Sequence, residues 1–338
     1  MDPREPERVV ELVDDRLGWY GVIVIDSTVL GPAFGGIRRA RYDSDDDACV
    51  DARRLARAMR DKCALAGLAA GGAKTVLRER AGAPWPEIYR ALGRAVDELG
   101  GRYVCGPDVG TGAQELAWVR EATRHCNPVA NDPSASTAAG VLAAMRAVWP
   151  ALGMSPRGAT AVVQGLGNVG GRVARGLLEL GARVYGNDPD ADACARAAEL
   201  GVTIVAAHEL PTIACDVLSP CALGHAIDPV AAASWPTRAV CGAANNMLVP
   251  GAELVLHRRG VWVVPDPVSS AGAVIEGVLT VTAGDTAHTR ARIAETIAAI
   301  EHTAAELLAA SRRDDRPPAE LASARARARL DNGRASQA

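Results

Sequence analysis

The chain has 338 residues, of which 49% are hydrophobic and 23% charged, a composition typical of a globular protein with room for two domains. A formal net charge of −3 at pH 7 argues against nucleic acid or an anionic membrane surface as the main partner. No apolar run reaches the roughly 20 residues that span a bilayer, and the charged start of the chain lacks the apolar segment of a signal peptide.

The eight cysteines and six histidines are scattered, and they form neither a Cys-x-x-Cys pair nor a set at metal-ligand spacing. This distribution argues against a zinc site and against a disulfide scaffold. The sequence therefore predicts no metal site, no membrane partner and a cytoplasmic protein with reduced thiols.

The first third of the sequence predicts a mixed domain of strands and helices. Two short runs of β-forming residues lie between residues 8 and 31. Apolar residues at helical spacing predict one helix over residues 45–65, with arginines on its outer face, and another over Trp85–Leu99. Between these helices, residues 71–73 (Gly-Gly-Ala) predict a loop with almost no side-chain volume.

From Gly158 onward, strands alternate with helices. A buried strand is predicted over residues 159–164, a helix over residues 168–180 and a strand over residues 182–186. Further short strands are predicted at residues 202–205, 216–218, 238–241 and 261–264. This alternation predicts an α/β fold with a parallel, doubly wound sheet in the C-terminal part of the chain.

Long helices flank the alternating region. A break at Asp132-Pro133 precedes an Ala-rich helix that is predicted to end near Trp149. A last helix is predicted to begin near Ala271 and to extend past Leu308, and the polar tail beyond it is expected to fray.

The segment Gly165-Leu-Gly-Asn-Val-Gly170 fits the G-x-G-x-x-G pattern and stands between a predicted strand and helix. Gly165 permits a tight turn, Gly167 lets a pyrophosphate approach backbone amides, and Gly170 allows close helix–strand packing. The helix N-terminus adds partial positive charge for the phosphates. About twenty residues later, Asp188 would accept hydrogen bonds from a ribose diol and repel a 2′-phosphate, which predicts NAD rather than NADP.

Lys62 and Lys74 lie twelve positions apart in an apolar, glycine-rich stretch, and Asp108 follows in Gly106-Pro-Asp-Val-Gly-Thr111. Burial and a second cation both lower the pKa of an ammonium group, so Lys74 is a candidate general base and Lys62 the cation that lowers its pKa. Lys62 would stay charged and bind an anionic group of the substrate. From these residues alone, two exposed lysines on a basic helix remain an alternative.

These residues belong to a series of segments that resembles the amino-acid dehydrogenases, the glutamate/leucine/phenylalanine/valine dehydrogenase family. In chain order, the segments are residues 31–36, 59–74, 106–111, 165–170, 222–224, 242–246 and 265–274. The resemblance covers about residues 8–310. It implies reversible oxidative deamination of an L-amino acid to a 2-oxo acid and ammonia, by a homo-oligomer of two or more subunits.

The resemblance also implies the domain organisation. Residues 1–134 would form an α/β domain for substrate binding and oligomerisation, and a C-terminal helix of about residues 300–338 would pack back on it. Residues 135–299 would form an NAD-binding Rossmann domain, with a cleft that closes between the two domains.

The resemblance further implies the roles of the charged residues. Lys62 matches the lysine that pairs with the substrate α-carboxylate, beside the backbone of Gly35 and Gly36. Lys74 matches the lysine that activates the water attacking the imine carbon. Asp108 matches the carboxylate that carries protons to and from the nitrogen.

Asn245 and Asn246 match the pair near the substrate amine and the nicotinamide ribose. The cofactor contacts expected in total are Thr137, Gly165, Gly167, Asn168, Val169, Gly170, Asp188 and Asn245. One segment departs from the family: the usual Asn-Ala-Gly-Gly-Val reads Ser270-Ala-Gly-Ala-Val274 here, which could alter the geometry at the nicotinamide. Glu276, shortly after it, is expected to face solvent.

Glutamate enzymes of the family carry a lysine before the Gly-Gly pair and a serine after the Asn-Ala-Gly-Gly segment. This chain has Phe34 at the position of the lysine and Gly277 at the position of the serine. Neither side chain can pair with a carboxylate, so glutamate is disfavoured. The implied side-chain pocket is Phe34, Gly106, Val274 and Gly277. Leucine-type enzymes carry larger residues at the two glycine positions, so the sequence predicts an enlarged pocket for phenylalanine or tryptophan. Leucine or valine is the alternative.

Three other functions remain open from the sequence. The first is a shikimate-type dehydrogenase, which also uses a Lys–Asp pair. The second is a pathway enzyme that passes its 2-oxo acid to a partner. The third is an NAD-binding regulatory homologue without turnover, for which the altered segment at residues 270–273 is the support.

Overall fold

The computed structural model describes residues 5–14, 19–222 and 224–336. The charged start of the chain at residues 1–4, and Leu223 of the 222–224 segment, lie outside the described residues. The chain divides into two compact units. The first consists of Met1–Asn131, Gly277–Thr289 and Ala326–Ala338, and the second of Asp132–Glu276 and Arg290–Arg325. Within the described ranges, no helix is both long and apolar enough to cross a membrane.

The first unit is built on a five-stranded mixed sheet. Its strands are β1 (Arg8–Asp14), β2 (Trp19–Ser27), β3 (Ala33–Ala40), β4 (Gly71–Arg78) and β5 (Tyr103–Gly106). The spatial order is β1-β2-β4-β3-β5, with β3 parallel to both β4 and β5 and with β2 antiparallel to β1 and β4. Because β3, β4 and β5 run in one direction, the segment that follows β5 lies at the carboxyl edge of all three.

Three helices, α1 (Asp45–Leu65), α2 (Trp85–Glu98) and α3 (Ala113–Arg120), belong to this unit. The first two confirm the helices predicted over residues 45–65 and Trp85–Leu99. A capping box starts α1, because the Ser44 hydroxyl accepts the N–H of Asp47 at 3.0 Å and the Asp47 carboxylate accepts that of Ser44 at 3.1 Å. Burial of Leu55 and its alanine neighbours then fixes the inner face of α1.

The prediction of a loop at residues 71–73 is wrong, because these residues are the buried start of β4. A Cβ at Gly71 would lie 1.8 Å from the carbonyl oxygen of Ser27, and one at Gly72 would lie 2.0 Å from the backbone nitrogen of Arg60. The two glycines therefore allow β2 and α1 to approach β4 closely, and they do not serve a turn.

The second unit contains a six-stranded parallel sheet in the order β11-β10-β9-β6-β7-β8. These strands are β6 (Thr160–Gln164), β7 (Arg183–Asn187), β8 (Thr203–Ile204), β9 (Cys215–Pro220), β10 (Thr237–Val240) and β11 (Trp262–Val263). The helices before and between them are α4 (Pro133–Ala151), α5 (Gly170–Glu179), α6 (Ala191–Glu199), α7 (Pro229–Ser234) and α8 (Ala252–Arg258), with a 3-10 helix at Leu210–Thr212, and α9 (Asp266–Ser269) follows the last strand. The predicted doubly wound sheet is confirmed.

The C-terminal region differs from the single long helix predicted from Ala271 onward. It forms α10 (Gly272–Ala283), α11 (Ala287–Ala298), α12 (Ile300–Asp314) and α13 (Pro318–Ala335). Gly284 and Asp315 have left-handed backbone conformations, with φ of 75° and 48°, which end α10 and α12. The prediction of a frayed tail is also wrong, because α13 is helical and buries Leu330 completely.

Candidate active site

Lys62 and Lys74 are the two lysines among the 37 lysine and arginine residues of the chain, and all the others are arginines. Both are buried, with exposed fractions of 6% and 4%. Lys62 lies in the last turn of α1, and Lys74 lies in β4 opposite Val24 of β2. The alternative of two exposed lysines on a basic helix is therefore wrong.

Asp108 contacts Lys74 directly. It follows β5 in a tight turn, in which its N–H and carbonyl groups pair with those of Thr111. Its Oδ2 atom lies 2.7 Å from Nζ of Lys74. A Cβ at Gly36 would lie 2.8 Å from the Cβ of Asp108, so the absence of a side chain at Gly36 lets this turn close on β3.

Arg38 of β3 is a site residue that the motifs did not indicate. Its Nε donates to the same Oδ2 atom of Asp108 at 3.0 Å, and its Nη1 donates to Oδ2 of Asp51 at 3.3 Å. The Tyr42 hydroxyl donates to that Asp51 oxygen at 2.7 Å. One signal was available: Arg38 is two residues after Gly36, and residues at this spacing in a strand share a face.

These contacts shift the pKa values of both predicted catalytic groups. Burial is the largest influence on Lys74 and lowers its pKa; Asp108 acts in the opposite direction, and Arg38 lowers it further. Burial alone would raise the pKa of Asp108, but Lys74 and Arg38 together lower it to about 2. The sequence assigned the second cation to Lys62, which stays a prediction; the structure adds Arg38, which contacts the same carboxylate as Lys74.

Gly35 lies against the residue that precedes Lys74. A Cβ at Gly35 would lie 1.7 Å from the carbonyl oxygen of Ala73, so β3 and β4 meet without a side chain between them. The buried Tyr103 hydroxyl donates to the Gly35 carbonyl oxygen at 3.1 Å and shares a hydrogen bond of 2.9 Å with the Thr75 hydroxyl. The backbone at Gly35 is thus fixed from two sides, and its binding of a carboxylate stays a prediction.

Three of the four predicted pocket residues lie in the first unit. Phe34, the single phenylalanine of the chain, is buried in β3. Gly106 and Gly277 both face Asn127, a residue that the sequence did not indicate: a Cβ at Gly106 would lie 3.5 Å from its Cβ, and one at Gly277 would lie 3.2 Å from its Oδ1. Val274, the fourth residue, is buried in the second unit.

The glycine-rich segment of the second unit has the geometry of a dinucleotide turn. Gly165 has a φ of 91°, and a Cβ at Gly170 would lie 1.9 Å from the carbonyl oxygen of Gly165. A Cβ at Gly167 would have no other atom within 4 Å, so the backbone there faces open space. At the end of β7, the Asp188 carboxylate accepts the N–H of Leu166 at 2.7 Å. A tight turn, an open glycine and a fixed carboxylate fit a bound dinucleotide.

The remaining predicted contacts also lie in the second unit. Asn168-Val169 leads directly into α5, and Thr137 lies early in α4. Asn246, which follows Asn245, has a left-handed φ of 51°, and its N–H donates to Oδ2 of Asp266 at 3.0 Å. A left-handed conformation is unusual for a residue other than glycine, and this bond holds the asparagine pair in place.

The prediction that Glu276 faces solvent is wrong, because this residue is only 3% exposed. Its carboxylate accepts the N–H of Asp132 at 3.1 Å, the hydroxyl of Ser136 at 3.0 Å and Nη1 of Arg290 at 2.8 Å. Three donors offset the loss of hydration of the buried carboxylate. Glu276 therefore joins the starts of α4 and α11 to α10.

A parallel sheet with a dinucleotide turn, together with a buried lysine–aspartate pair, defines the class as an α/β oxidoreductase. The chain belongs to the glutamate/leucine/phenylalanine/valine dehydrogenase family: the model of its dimerisation domain matches residues 6–125, and the model that bears the family name matches residues 130–189 and 191–328. It is thus an amino-acid dehydrogenase, an oxidoreductase acting on CH–NH2 groups, in a family that uses a nicotinamide cofactor. This assignment excludes the shikimate-type alternative.

Individual relatives act on different amino acids. Leucine dehydrogenase of Bacillus cereus is 34% identical over 328 residues, covering 93% of this chain and 88% of the relative. Phenylalanine dehydrogenase of Caldalkalibacillus thermarum is 35% identical over 293 residues, covering 80% of this chain and 78% of the relative. The crystal structure of L-tryptophan dehydrogenase from Nostoc punctiforme matches with a TM-score of 0.82 and 27% identity, covering 97% of each chain.

Proposed function

We propose that this enzyme catalyses the reversible, NAD-dependent oxidative deamination of an apolar, aromatic L-amino acid, phenylalanine or tryptophan, to its 2-oxo acid and ammonia. The observation that carries the proposal is the 2.7 Å contact between Nζ of Lys74 and Oδ2 of Asp108. A buried amine of lowered pKa in contact with an ionised carboxylate can accept a proton and pass it on.

In the proposed reaction, Lys62 binds the substrate α-carboxylate beside the backbone of Gly35 and Gly36. A bound nicotinamide supplies the acceptor for the hydride of the substrate α-carbon. Lys74, in its neutral form, accepts a proton from the water that adds to the imine carbon. Asp108 passes protons to the departing nitrogen, which leaves as ammonia. The intact contact between Lys74 and Asp108 disfavours a regulatory homologue without turnover.

The preference for NAD over NADP rests on charge. Asp188 lies in the segment Asn187-Asp-Pro-Asp-Ala-Asp192, which has three carboxylates and no basic residue. Its carboxylate is oriented by the N–H groups of Leu166 and Asp190, at 2.7 and 2.9 Å. A 2′-phosphate at this position would meet negative charge, whereas a ribose diol would donate to it.

The proposal of an aromatic substrate rests on the side-chain pocket. Phe34 offers a ring, and neither Gly106 nor Gly277 brings a side chain against Asn127. Two relatives, named as phenylalanine and L-tryptophan dehydrogenases, support the same class. The alternative is a branched-chain substrate, and relatives named as leucine dehydrogenases favour it.

The test is a steady-state assay of reduced nicotinamide with the purified protein and a panel of L-amino acids, with NAD and NADP compared. We expect kcat/KM to be highest for phenylalanine or tryptophan, with NAD preferred. If kcat/KM were highest for leucine or valine, the proposal of an aromatic substrate would be wrong, whereas the proposed oxidative deamination would stand. If no amino acid reacts while NAD binds, the proposed activity is wrong.

The pocket can be tested by filling it. We expect Gly106→Ala combined with Gly277→Val to lower the ratio of kcat/KM for phenylalanine to that for leucine by about tenfold or more, since one methylene changes discrimination by this amount. The added Cβ atoms would stand 3.5 Å (Gly106) and 3.2 Å (Gly277) from Asn127 and would take up space that a bulky side chain needs. The measurement is kcat/KM for both substrates.

Gly112→Ala is the matched control for the pocket variant. Gly112 is exposed with a φ of −110°, and a Cβ there would lie 3.6 Å from its nearest neighbour, an oxygen of Glu115. We expect this control to keep the wild-type substrate ratio. An unchanged ratio in the double variant would contradict the role of the two glycines.

We assign substrate binding and oligomerisation to residues 1–134 and cofactor binding to residues 135–299. The family model that matches residues 6–125 is described as a dimerisation domain, which supports a homo-oligomer of two or more subunits. The eight cysteines are all unpaired thiols, which suits the cytoplasm.

A further inference from the structure

One carboxylate oxygen at the candidate active site is shared by two cations. Oδ2 of Asp108 lies 2.7 Å from Nζ of Lys74 and 3.0 Å from Nε of Arg38. Asp108 and Arg38 are 70 residues apart in the sequence and are brought together by the pairing of β3 with β5. All three side chains are largely buried, so water screens these charges weakly.

Arg38 is itself held in position. Its Nη1 donates to Asp51 of α1 at 3.3 Å, and the other Asp51 oxygen pairs with Arg54 at 2.6 Å. The charges therefore alternate in sign along the series Arg54, Asp51, Arg38, Asp108 and Lys74. Arg38 cannot swing away from Asp108 without losing its contact with Asp51.

The charged groups that act on Lys74 come from three of its neighbouring segments. Arg38 lies on β3, Asp108 follows β5, and Asp51 lies on α1. The fourth neighbour, β2, places the apolar Val24 opposite Lys74. Arg38 is thus the cation that competes with Lys74 for its carboxylate.

We propose that Arg38 is a positioning residue, which shares the Oδ2 atom of Asp108 with Lys74 and thereby favours the neutral, proton-accepting form of Lys74. The inference rests on the proposed role of Lys74 as the general base. Without Arg38, the Asp108 carboxylate would have the Lys74 ammonium as its single cationic partner at this oxygen. The ammonium would then be stabilised, and Lys74 would retain its proton to higher pH. The directions of the pKa shifts agree, because Arg38 lowers the pKa of Lys74 whereas Asp108 raises it.

The experiment is an NMR titration, which is simple to read because the chain has only two lysines. Biosynthetic labelling with lysine carrying ¹³C at Cε gives two resonances, one for Lys62 and one for Lys74, and Lys62→Arg assigns them. We expect the Lys74 resonance to titrate at higher pH in Arg38→Gln than in the wild type. In the same variant, kcat/KM at neutral pH falls by about tenfold or more and recovers at alkaline pH. Arg38→Lys keeps a cation and restores most of the wild-type pH profile.

Arg39→Gln is the matched control, because Arg39 is the next residue of β3 and is as buried as Arg38. Its side chain instead stacks on Trp85, with Cζ 4.8 Å from the ring centroid. We expect the control to leave both titrations unchanged. A Lys74 titration that is also unchanged in Arg38→Gln, with only lower thermal stability, would overturn the inference and leave Arg38 a structural role.

A second variant covers the case in which Arg38→Gln does not fold. Asp51 raises the pKa of Lys74, so Asp51→Asn should move the Lys74 titration to lower pH, opposite to Arg38→Gln. A shift to higher pH would contradict the series of alternating charges. Absence of turnover in the wild type rejects the proposed function. The Lys74 titration, which needs no turnover, decides in folded Arg38→Gln or Asp51→Asn protein whether these neighbouring charges act on Lys74.

Discussion

Lys74→Met is expected to lower kcat for oxidative deamination by about 10³-fold, the contribution typical of a positioned general base. Methionine has nearly the length of lysine and suits the buried position in β4, so the sheet should be retained. Asp108 keeps its 3.0 Å contact with Arg38 and is not left as an unpaired charge. The measurement is steady-state formation of reduced nicotinamide, with circular dichroism to confirm folding.

Arg78→Gln is the control for this variant, because Arg78 is at the end of the same strand and pairs with Asp45 at 2.8 Å. It removes one positive charge from β4 without touching Asp108, and we expect kcat to stay within about twofold, because a partly exposed ion pair contributes only about 0–1 kcal/mol to stability. If Lys74→Met retained more than a tenth of the wild-type kcat, a role for Lys74 in proton transfer would be untenable.

Asp108→Asn is expected to lower kcat by about 10²-fold or more, because the amide cannot carry protons to and from the substrate nitrogen. It also leaves Lys74 and Arg38 buried without their shared counter-charge. Breaking a buried ion pair in this way costs about 3–5 kcal/mol of folding free energy. Since Asp108 raises the pKa of Lys74, the acidic limb of the kcat/KM profile should move to lower pH in the residual activity.

Asp26→Asn separates loss of stability from loss of catalysis. Asp26 is a buried carboxylate of the same unit, paired with Arg60 at 2.8 Å, and it is remote from the contacts of Asp108 in sequence and bonding. We expect Asp26→Asn to lower the midpoint of chemical denaturation while kcat per folded enzyme is kept. Equal kcat losses in the two variants would mean that Asp108 acts only through stability.

The features that could be predicted from the sequence are those fixed by local patterns. The turn at Gly165–Gly170 and helix α1 both follow from a short segment, in which glycine spacing or apolar periodicity dictates the backbone. The resemblance likewise brought Lys74 and Asp108 into one hypothesis, and the structure places them in contact.

The features that could not be predicted depend on contacts between distant segments. Arg38 becomes a site residue only because β3 lies beside β5, and Asn127 because it faces two glycines far away in sequence. Glu276 looked like an ordinary charged helix position, and its three donors come from segments about 14 to 144 residues away. The break between α10 and α11 at Gly284 could not be predicted either, since the residues on both sides have the apolar spacing of a helix.

The burial of both lysines has a practical consequence for work on the assembly. The chain has no other lysine, so the residues that the structure describes present no exposed side-chain amine. Glutaraldehyde and succinimide esters, which couple amines, are therefore expected to give little cross-linking through side chains in a test of oligomeric state. Carbodiimide coupling through carboxylates, or mass measurement without any coupling, suits this enzyme instead.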